Sequence, residues 1–213
     1  MYIAIIGDII SSRELPDREQ VQETFNTAMH QINLNYHDEI ASGFLVTLGD
    51  EFQGLLKSGG HVLDIIYAIE RMMGDVPMRF GIGLGDLDTR LHRDRALGAD
   101  GPAYHRARKA VDELKAREES RESRVSNIMI SGEEDPAMLN CLLNLMKCME
   151  NRWSTMQKKV VLDYLRYRDR REDAARRLAK KQPNISRDFN NANGAAYVEA
   201  YDLIQSTLRK EIS

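Results

Sequence analysis

The residues best suited to metal chemistry are two neighbouring acids in a tight turn, Asp50 and Glu51. The turn begins at Gly49 and joins two short apolar runs within residues 44–56, a pattern that predicts a β-hairpin with carboxylates at its tip. Adjacent carboxylates repel each other, so they are either fully exposed to water or neutralised by a cation. The turn alone leaves both interpretations open.

A third acid, Asp8, lies near the end of a continuous apolar run of strand length, residues 2–10. Open sheets present ligands at such strand ends. If this strand lies beside the hairpin, Asp8 and Asp50 meet. With Ser11 and Ser12 just beyond, the result is an oxygen-rich site suited to Mg²⁺ (or Mn²⁺) held together with phosphates. The alternative is that Asp8 caps the turn that follows it.

Two helical patterns flank the hairpin, and further strands precede and follow them. Apolar spacing predicts helices over residues 18–37 and 61–73 and strands over residues 2–7 and 78–87. This β-α-β-β-α-β order predicts an α+β fold of the ferredoxin-like kind, in which helices cover one face of an antiparallel sheet. Four later elements are a charged loop (89–100), a polar helix (102–122), a short strand (125–130) and a helix (136–152) with an apolar stripe through Met138, Leu142, Leu145 and Met149.

Composition predicts a cytoplasmic protein of two domains that does not enter a membrane. There is no signal-peptide pattern, and no apolar run reaches the roughly 18 residues of a spanning helix. Cys141 and Cys148 share one face of an apolar helical pattern, so they are expected in the core rather than in a disulfide or a metal site. Residues 151–213 hold 14 Lys/Arg and 8 Asp/Glu, a net charge of +6, whereas residues 1–150 carry −9. The asymmetry predicts domains 1–150 and 151–213 with different partners, the basic one suited to phosphate backbones or simply solvated.

The C-terminal segment contains helical patterns over residues 155–167, 171–180, 184–192 and 195–209. The second and third resemble a helix-turn-helix of the sigma-factor region-four or response-regulator kind, with Ile185 and Phe189 facing inward. The outward residues suited to base edges or phosphates are Ser186, Arg187, Asn190 and Asn191 on the recognition helix, and Lys180, Lys181, Arg176 and Arg177 before it. The alternative is a helical bundle for dimerisation or docking.

Several blocks of the first part resemble class III adenylyl and guanylyl cyclases. Residues 80–85, FGIGLG, resemble their G-I-H-x-G strand, and residues 101–109, GPAYHRARK, align with their G-x-x-V-N-x-A-A-R helix. Residues 49–52, GDEF, resemble the hairpin of the diguanylate cyclases, which share the fold. The whole chain, from GDIISSR through LGDEFQG, GIGLGD and DGPAYHRAR, resembles the SatD family of small bacterial proteins.

The cyclase resemblance implies a nucleotide-cyclase-like domain with a metal pair held by Asp8, the backbone carbonyl of Ile9 and Asp50. It also implies a triphosphate near three consecutive residues, which are Ile10, Ser11 and Ser12. Because cyclase-like sites form between two subunits, it implies a homodimer as well.

Three positions that are selective in the cyclases differ in this chain. Their purine-reading Lys aligns with Val46, their transition-state Asn with His105, and their charge-stabilising Arg with Lys109. Lysine keeps the charge of arginine but loses its bidentate geometry. Loss of one stabilising group of this kind typically costs about 10²-fold in rate or more. These differences favour metal-nucleotide binding over turnover.

Basic residues crowd the helix that carries these changes and the loop before it; they are His92, Arg93, Arg95, His105, Arg106, Arg108 and Lys109. They could bind the phosphates of a larger or more highly charged ligand, or form a solvated basic surface. Two functions therefore stand. One is a DNA-binding regulator whose cyclase-like domain senses a nucleotide or related phosphate; the other is an enzyme that cyclises a nucleoside triphosphate, with Lys109 and His105 as charge stabilisers.

Overall fold

The computed structural model of the protein describes residues 1–47, 49–89, 100–120 and 126–212. The strands in these ranges are β1 (Tyr2–Ile9), β2 (Ile40–Val46), β3 (Glu51–Leu56), β4 (Met78–Gly85) and β5 (Ile128–Ser131). The helices are α1 (Arg18–Asn35), α2 (Val62–Met73), α3 (Pro102–Glu119), α4 (Ala137–Glu150), α5 (Thr155–Tyr167), α6 (Arg171–Arg177), α7 (Gln182–Asn191) and α8 (Gly194–Ile212). These bounds confirm the predicted helices and strands. The predicted charged loop lies almost entirely outside the described residues. Among the helices that the structure describes, none has the length and apolar character needed to cross a membrane.

The strands form one sheet in the order β2-β3-β1-β4-β5. Neighbouring strands are antiparallel except β4 and β5, which are parallel. Asp8 on β1 lies opposite Glu51 on β3 and opposite Arg79 on β4. The α+β class is therefore confirmed, and three charged residues lie side by side across adjacent strands.

One face of the sheet packs against α1 and α2. Alternate residues of β1, Ile3, Ile5 and Ile9, share a buried cluster with Phe25 of α1 and Ile66 of α2. The two-residue period of a strand places these three side chains on the same face. Because β1 and β3 are antiparallel neighbours, the loop after β1 and the turn before β3 lie at the same end of this layer.

The opposite face is covered by α3, which corrects the prediction that helices cover one face only. Ile6 of β1 packs with Ala107 and Val111 of α3. The strand β4 presents glycines to this helix, and a Cβ added at Gly83 would lie 2.0 Å from the carbonyl oxygen of Ala103. The helix thus rests directly on the strand backbone. The sequence pattern missed this contact because α3 is polar apart from a narrow buried strip, half of which is alanine.

The last helix, α8, packs against α2 and α4, so the buried cluster under the sheet extends into the C-terminal segment. Tyr201 donates a hydrogen bond to Asp64. The amide of Gln205 accepts from the backbone N–H of Leu63 at 3.0 Å and donates to the carbonyl oxygen of Gly60 at 2.9 Å. An N–H in the first turn of α2 is thereby satisfied from the far end of the chain. The boundary predicted at residue 150 stays a prediction.

Helix α4 buries a face that overlaps the predicted one only in part, since Leu142 and Met149 pack against the core while the other two stripe residues do not. Its buried residues are Leu139, Leu143 and Met146. Met138 and Leu145, both in the predicted stripe, are 73% and 56% exposed. Cys141 and Cys148 are exposed as well, so their assignment to the core is wrong. Apolar residues occupy most of the circumference of this helix, and spacing alone therefore does not select a face.

Candidate functional site

A small cleft, here called the loop cleft, lies between the loop that follows β1 and the turn that joins β2 to β3. Its volume is about 230 Å³. Its lining residues are Ile9, Ser12, Arg13, Leu15, Arg18, Val21, Gln22, Gly49 and Asp50. The structure therefore brings together three residues for which the sequence predicts metal or phosphate binding: Ile9, Ser12 and Asp50.

Hydrogen bonds fix the position of the Asp50 carboxylate in this cleft. The hydroxyl of Ser12 donates to the carboxylate at 2.5 Å. The backbone N–H of Ile9 donates to the backbone carbonyl of Asp50 at 2.9 Å, which ties the end of β1 to the turn. The carboxylate is thus held by a neutral donor at the surface.

The other two predicted phosphate-binding residues, Ile10 and Ser11, lie in the same loop. The N–H of Ile10 donates to the carbonyl oxygen of Pro77 at 2.8 Å. Ser11 is exposed and has a left-handed backbone with φ of +52°, which turns the chain before Ser12. Neither residue lines the loop cleft.

Asp8 belongs to the other face of the sheet, beneath α3. Its carboxylate forms ion pairs with Nε of Arg79 at 3.0 Å and with Nζ of Lys115 at 2.6 Å. Burial raises the pKa of the Asp8 carboxyl, while the hydrogen bond from Lys115 and the charges of Arg79 and Lys115 oppose that rise. The side chain of Asp8 is therefore engaged in ion pairs rather than in capping the next turn. The carboxylates of Asp8 and Asp50 have different partners on different faces.

The loop cleft fits one divalent cation held together with a phosphate better than a pair held by both acids. Mg²⁺ is usually bound by one or two carboxylates, with water and phosphate oxygens completing its coordination. Asp50 offers one carboxylate beside the hydroxyl of Ser12, whereas Asp8 already has two internal cations. Within the described ranges, no group of three or more His, Cys, Asp or Glu side chains gathers as a metal site. The metal assignment of Asp8, Ile9 and Asp50 stays a prediction.

The sequence did not predict an internal ion-pair network that lies under α3. The acid predicted at the hairpin tip, Glu51, begins β3 and is only 6% exposed. Arg108 of α3 donates to both oxygens of its carboxylate. Arg79 pairs with Glu118 at 3.0 Å in addition to Asp8. A charged residue within an apolar run of strand length, such as Asp8, was the available signal, because a buried charge requires a partner.

Helix α3 carries the two residues predicted to stabilise charge during turnover. His105 pairs with Asp100 at 3.1 Å, and Lys109 lies 3.9 Å from Glu113. Both side chains are mostly exposed, and neither lines the loop cleft. Val46, which aligns with the purine-reading Lys of the cyclases, is the last residue of β2.

The basic residues around α3 have separate partners. Arg106 donates to the carbonyl oxygen of Leu84 at 2.6 Å, and Arg108 is bound to Glu51. Three further members, His92, Arg93 and Arg95, lie outside the described residues. The described arginines are therefore engaged in holding α3 to the sheet.

The predicted recognition helix is present as α7, and its inner face is buried as expected through Ile185 and Phe189. Ser186 is half-buried, and its hydroxyl accepts a hydrogen bond from Gln182 at 3.1 Å. The exposed polar residues are Arg187, Asn190 and Asn191 on the helix and Lys180 and Lys181 before it. Contact of this face with DNA stays a prediction.

Arg177 already forms ion pairs with two acids of the chain, so it is removed from the residues predicted to bind DNA phosphates. Its guanidinium group is 2.6 Å from the carboxylates of both Asp163 and Asp169. It also lies 4.0 Å from the ring centre of Tyr167. These contacts join α6 to α5, so Arg177 has a structural role.

Comparison with known protein families gives a match to the model of the SatD family over residues 2–205. The match spans the sheet, the loop cleft and most of the C-terminal helices. No curated protein matches the chain.

Proposed function

The chain belongs to the SatD family, and we propose that it binds a nucleotide or a related phosphate compound with Mg²⁺ in the loop cleft. The observation that carries this proposal is the carboxylate of Asp50, held by Ser12 in a cleft that Arg13 and Arg18 also line. Bound Mg²⁺ would neutralise a carboxylate and phosphate oxygens that otherwise repel each other. The two arginines suit the remaining phosphate oxygens, which they can bind through bidentate hydrogen bonds.

The strand order supports a ferredoxin-like, nucleotide-cyclase-like scaffold for this site. In the order β2-β3-β1-β4, strand β1 lies between β3 and β4 and is antiparallel to both. The loop after β1 and the β2–β3 turn consequently lie at the same end of adjacent strands. This is the place where the cyclase resemblance puts metal and phosphate.

We further propose that nucleotide binding controls DNA contacts made by α6 and α7 as a helix-turn-helix in a homodimer. The support is the exposed polar face of α7 with Arg187 and Asn191, together with the net charge of +6 on residues 151–213. Asparagine and arginine can read base edges, and a two-fold dimer would present two such helices to a symmetric site. Dimerisation or docking through the same helices is the competing role.

A second candidate function, cyclisation of a nucleoside triphosphate, is favoured by the exposure of His105 and Lys109 on α3. In a homodimer these side chains could reach the loop cleft of the partner subunit. Lys109 would then supply positive charge to the phosphoryl group being transferred. The internal pairing of Asp8 leaves only Asp50 for the metal, which is the reason for placing binding before turnover.

Calorimetric titration of a nucleoside-triphosphate panel with Mg²⁺ tests the loop cleft, with chromatography of the mixture to detect product. We expect Asp50→Asn to abolish Mg²⁺-dependent binding. Ser12→Ala should weaken it by about 10-fold to 100-fold, as is typical when a residue that orients a metal ligand is removed. The control is Asp38→Asn, an exposed acid away from the cleft. Equal binding by wild type and Asp50→Asn would contradict the proposal, and product formed only by wild type would establish the enzyme.

Gel-shift titration against a DNA library at several salt concentrations tests the second half of the proposal. Arg187→Ala should relax sequence preference, and Lys181→Ala should weaken binding to all sequences and reduce the salt slope by about 1. Lys210→Ala, near the end of α8, is the matched control. Unchanged affinity and unchanged salt dependence in both variants would contradict DNA contact by α7 and leave the competing role in dimerisation or docking.

A further inference from the structure

A second and larger cleft, here called the junction cleft, lies where the C-terminal helices meet the sheet. Its volume is about 830 Å³, and small-molecule sites typically measure roughly 300–1,000 Å³. Its walls are formed by the end of α2, the start of β4, the end of α3, and parts of α4 and α5. A ligand there would contact both the sheet-bearing part of the chain and the basic C-terminal part.

One wall of the junction cleft is a hydrogen-bonded network centred on Glu150. Tyr197 donates to the Glu150 carboxylate, and the hydroxyls of Tyr67 and Tyr197 lie 2.7 Å apart. Lys147 pairs with the same carboxylate at 3.3 Å. Burial raises the pKa of both tyrosines, so these phenols stay neutral. This wall is fixed by its own contacts and forms the frame of the cleft.

Glu70 and Asn127 form a different pair in the same cleft. The amide nitrogen of Asn127 donates to the Glu70 carboxylate at 2.7 Å and to the carbonyl oxygen of Met78 at 3.1 Å. Both amide hydrogens are thereby used, and the oxygen of Asn127 remains as an acceptor beside the carboxylate. In the part of the chain that the structure describes, no Lys, Arg or His forms a direct ion pair with Glu70, and the charges of Lys147 and Lys158 act on it from a greater distance. The pair therefore offers acceptors to a ligand rich in hydrogen-bond donors.

Basic residues line the same cleft where it opens to solvent. Arg71, Arg117 and Lys158 are exposed lining residues. Across the described ranges, none of the three forms an ion pair with an acid of the chain. Close by, Met78 and Leu114 are buried and Leu162 is partly buried, and these three lining residues offer apolar surface suited to a flat ring. The cleft thus combines acceptors, apolar surface and cations.

We propose that the junction cleft binds a guanine nucleotide without a metal ion. Guanine carries two neighbouring donor groups on one edge, the ring N1–H and the 2-amino group, which match the acceptors of Glu70 and Asn127. Adenine places an acceptor beside its amino group and leaves one of these acceptors unpaired. The phosphate would bind Lys158 and Arg117 as charge-assisted hydrogen bonds. This site is separate from the loop cleft and goes beyond the function proposed above.

Calorimetric titration of the full chain in excess EDTA tests this proposal with guanosine, inosine and adenosine monophosphates as probes. We expect guanosine monophosphate to bind best, inosine monophosphate to bind more weakly because it lacks the 2-amino group, and adenosine monophosphate to bind weakest. Lys158→Ala should weaken guanosine monophosphate binding by about tenfold, the effect of losing one charged hydrogen bond. Lys159→Ala, which removes a neighbouring exposed lysine outside the cleft, should leave it unchanged.

Glu70→Gln tests base recognition, since its amide keeps the shape of the carboxylate. It should remove the preference for guanine over adenine, and a thermal melt of the variant confirms that it is folded. Absence of guanosine monophosphate binding in EDTA would overturn the proposal, and so would binding that survives both Glu70→Gln and Lys158→Ala. Binding lost in Asp50→Asn but retained in both of these variants would assign the nucleotide to the loop cleft alone.

Discussion

Two acidic side chains covered by α3 differ from Asp50 of the loop cleft and Glu70 of the junction cleft in the partners that the chain provides. Asp8 and Glu51 are covered, and each forms an ion pair with an arginine. A buried carboxylate without a compensating charge is costly, so an internal cation must accompany it.

One acid in each cleft has a neutral hydrogen-bond donor instead. Asp50 accepts from the hydroxyl of Ser12, and Glu70 accepts from the amide of Asn127. A neutral donor positions a carboxylate without cancelling its charge. The chain therefore supplies cations to Asp8 and Glu51 under α3, whereas Asp50 and Glu70 are left to be neutralised or paired by a ligand.

The largest expected effect comes from removing the buried arginine of the network under α3. Arg79→Ala leaves Asp8 with Lys115 as its one remaining cation and removes the ion pair with Glu118, and we expect the free energy of unfolding to fall by about 3–5 kcal/mol. Urea denaturation measures this change. Arg18→Ala, at the loop cleft, removes an exposed arginine and should cost less than about 0.5 kcal/mol. Equal losses in the two variants would break the distinction between covered and open charges.

A smaller loss of unfolding free energy should follow from forcing α3 away from β4. Gly83→Ala places a Cβ against the backbone of α3, and overpacking of this kind typically costs about 1–3 kcal/mol. Gly132→Ala serves as the control, because its nearest contact would be 3.3 Å away rather than 2.0 Å. Equal unfolding free energies for both variants would show that α3 does not depend on the close approach to β4.

The smallest effect concerns the pH dependence of the Glu70 contribution. Burial raises the pKa of the Glu70 carboxyl above its usual value of 4.5, so the folded state binds this proton more tightly than the unfolded state. The stability that Glu70 contributes is therefore full below pH 4.5 and is lost as pH rises through the folded-state pKa. The unfolding free energy of wild type minus that of Glu70→Gln should therefore fall over that interval, as urea titrations at several pH values can measure. The same subtraction for the exposed Glu134→Gln should give a value that stays flat, and a value for Glu70→Gln that rises with pH would contradict the assignment.

Much of the fold follows from local sequence signals, because hydrophobic period and turn residues act over a few positions. The loop cleft was also within reach of the sequence, since adjacency of β1 and the hairpin places Asp50 near Ser12. The burial of Glu51 was not, because it depends on which helix covers the strand. The junction cleft could not be foreseen either, since its residues come from elements that are distant in the chain and meet only through tertiary packing.

The bridge made by Gln205 has a consequence for the order in which the protein can be completed. Its hydrogen bonds join residues 142 and 145 positions apart. Such a contact forms only after the largest loop-closure cost has been met. While the chain is being synthesised, the start of α2 therefore waits for a helix that leaves the ribosome much later. A product truncated before α8 would lack this bridge. The backbone N–H of Leu63 and the carbonyl oxygen of Gly60 would then have no hydrogen bond from Gln205, and the start of α2 would be accessible to chaperones and proteases.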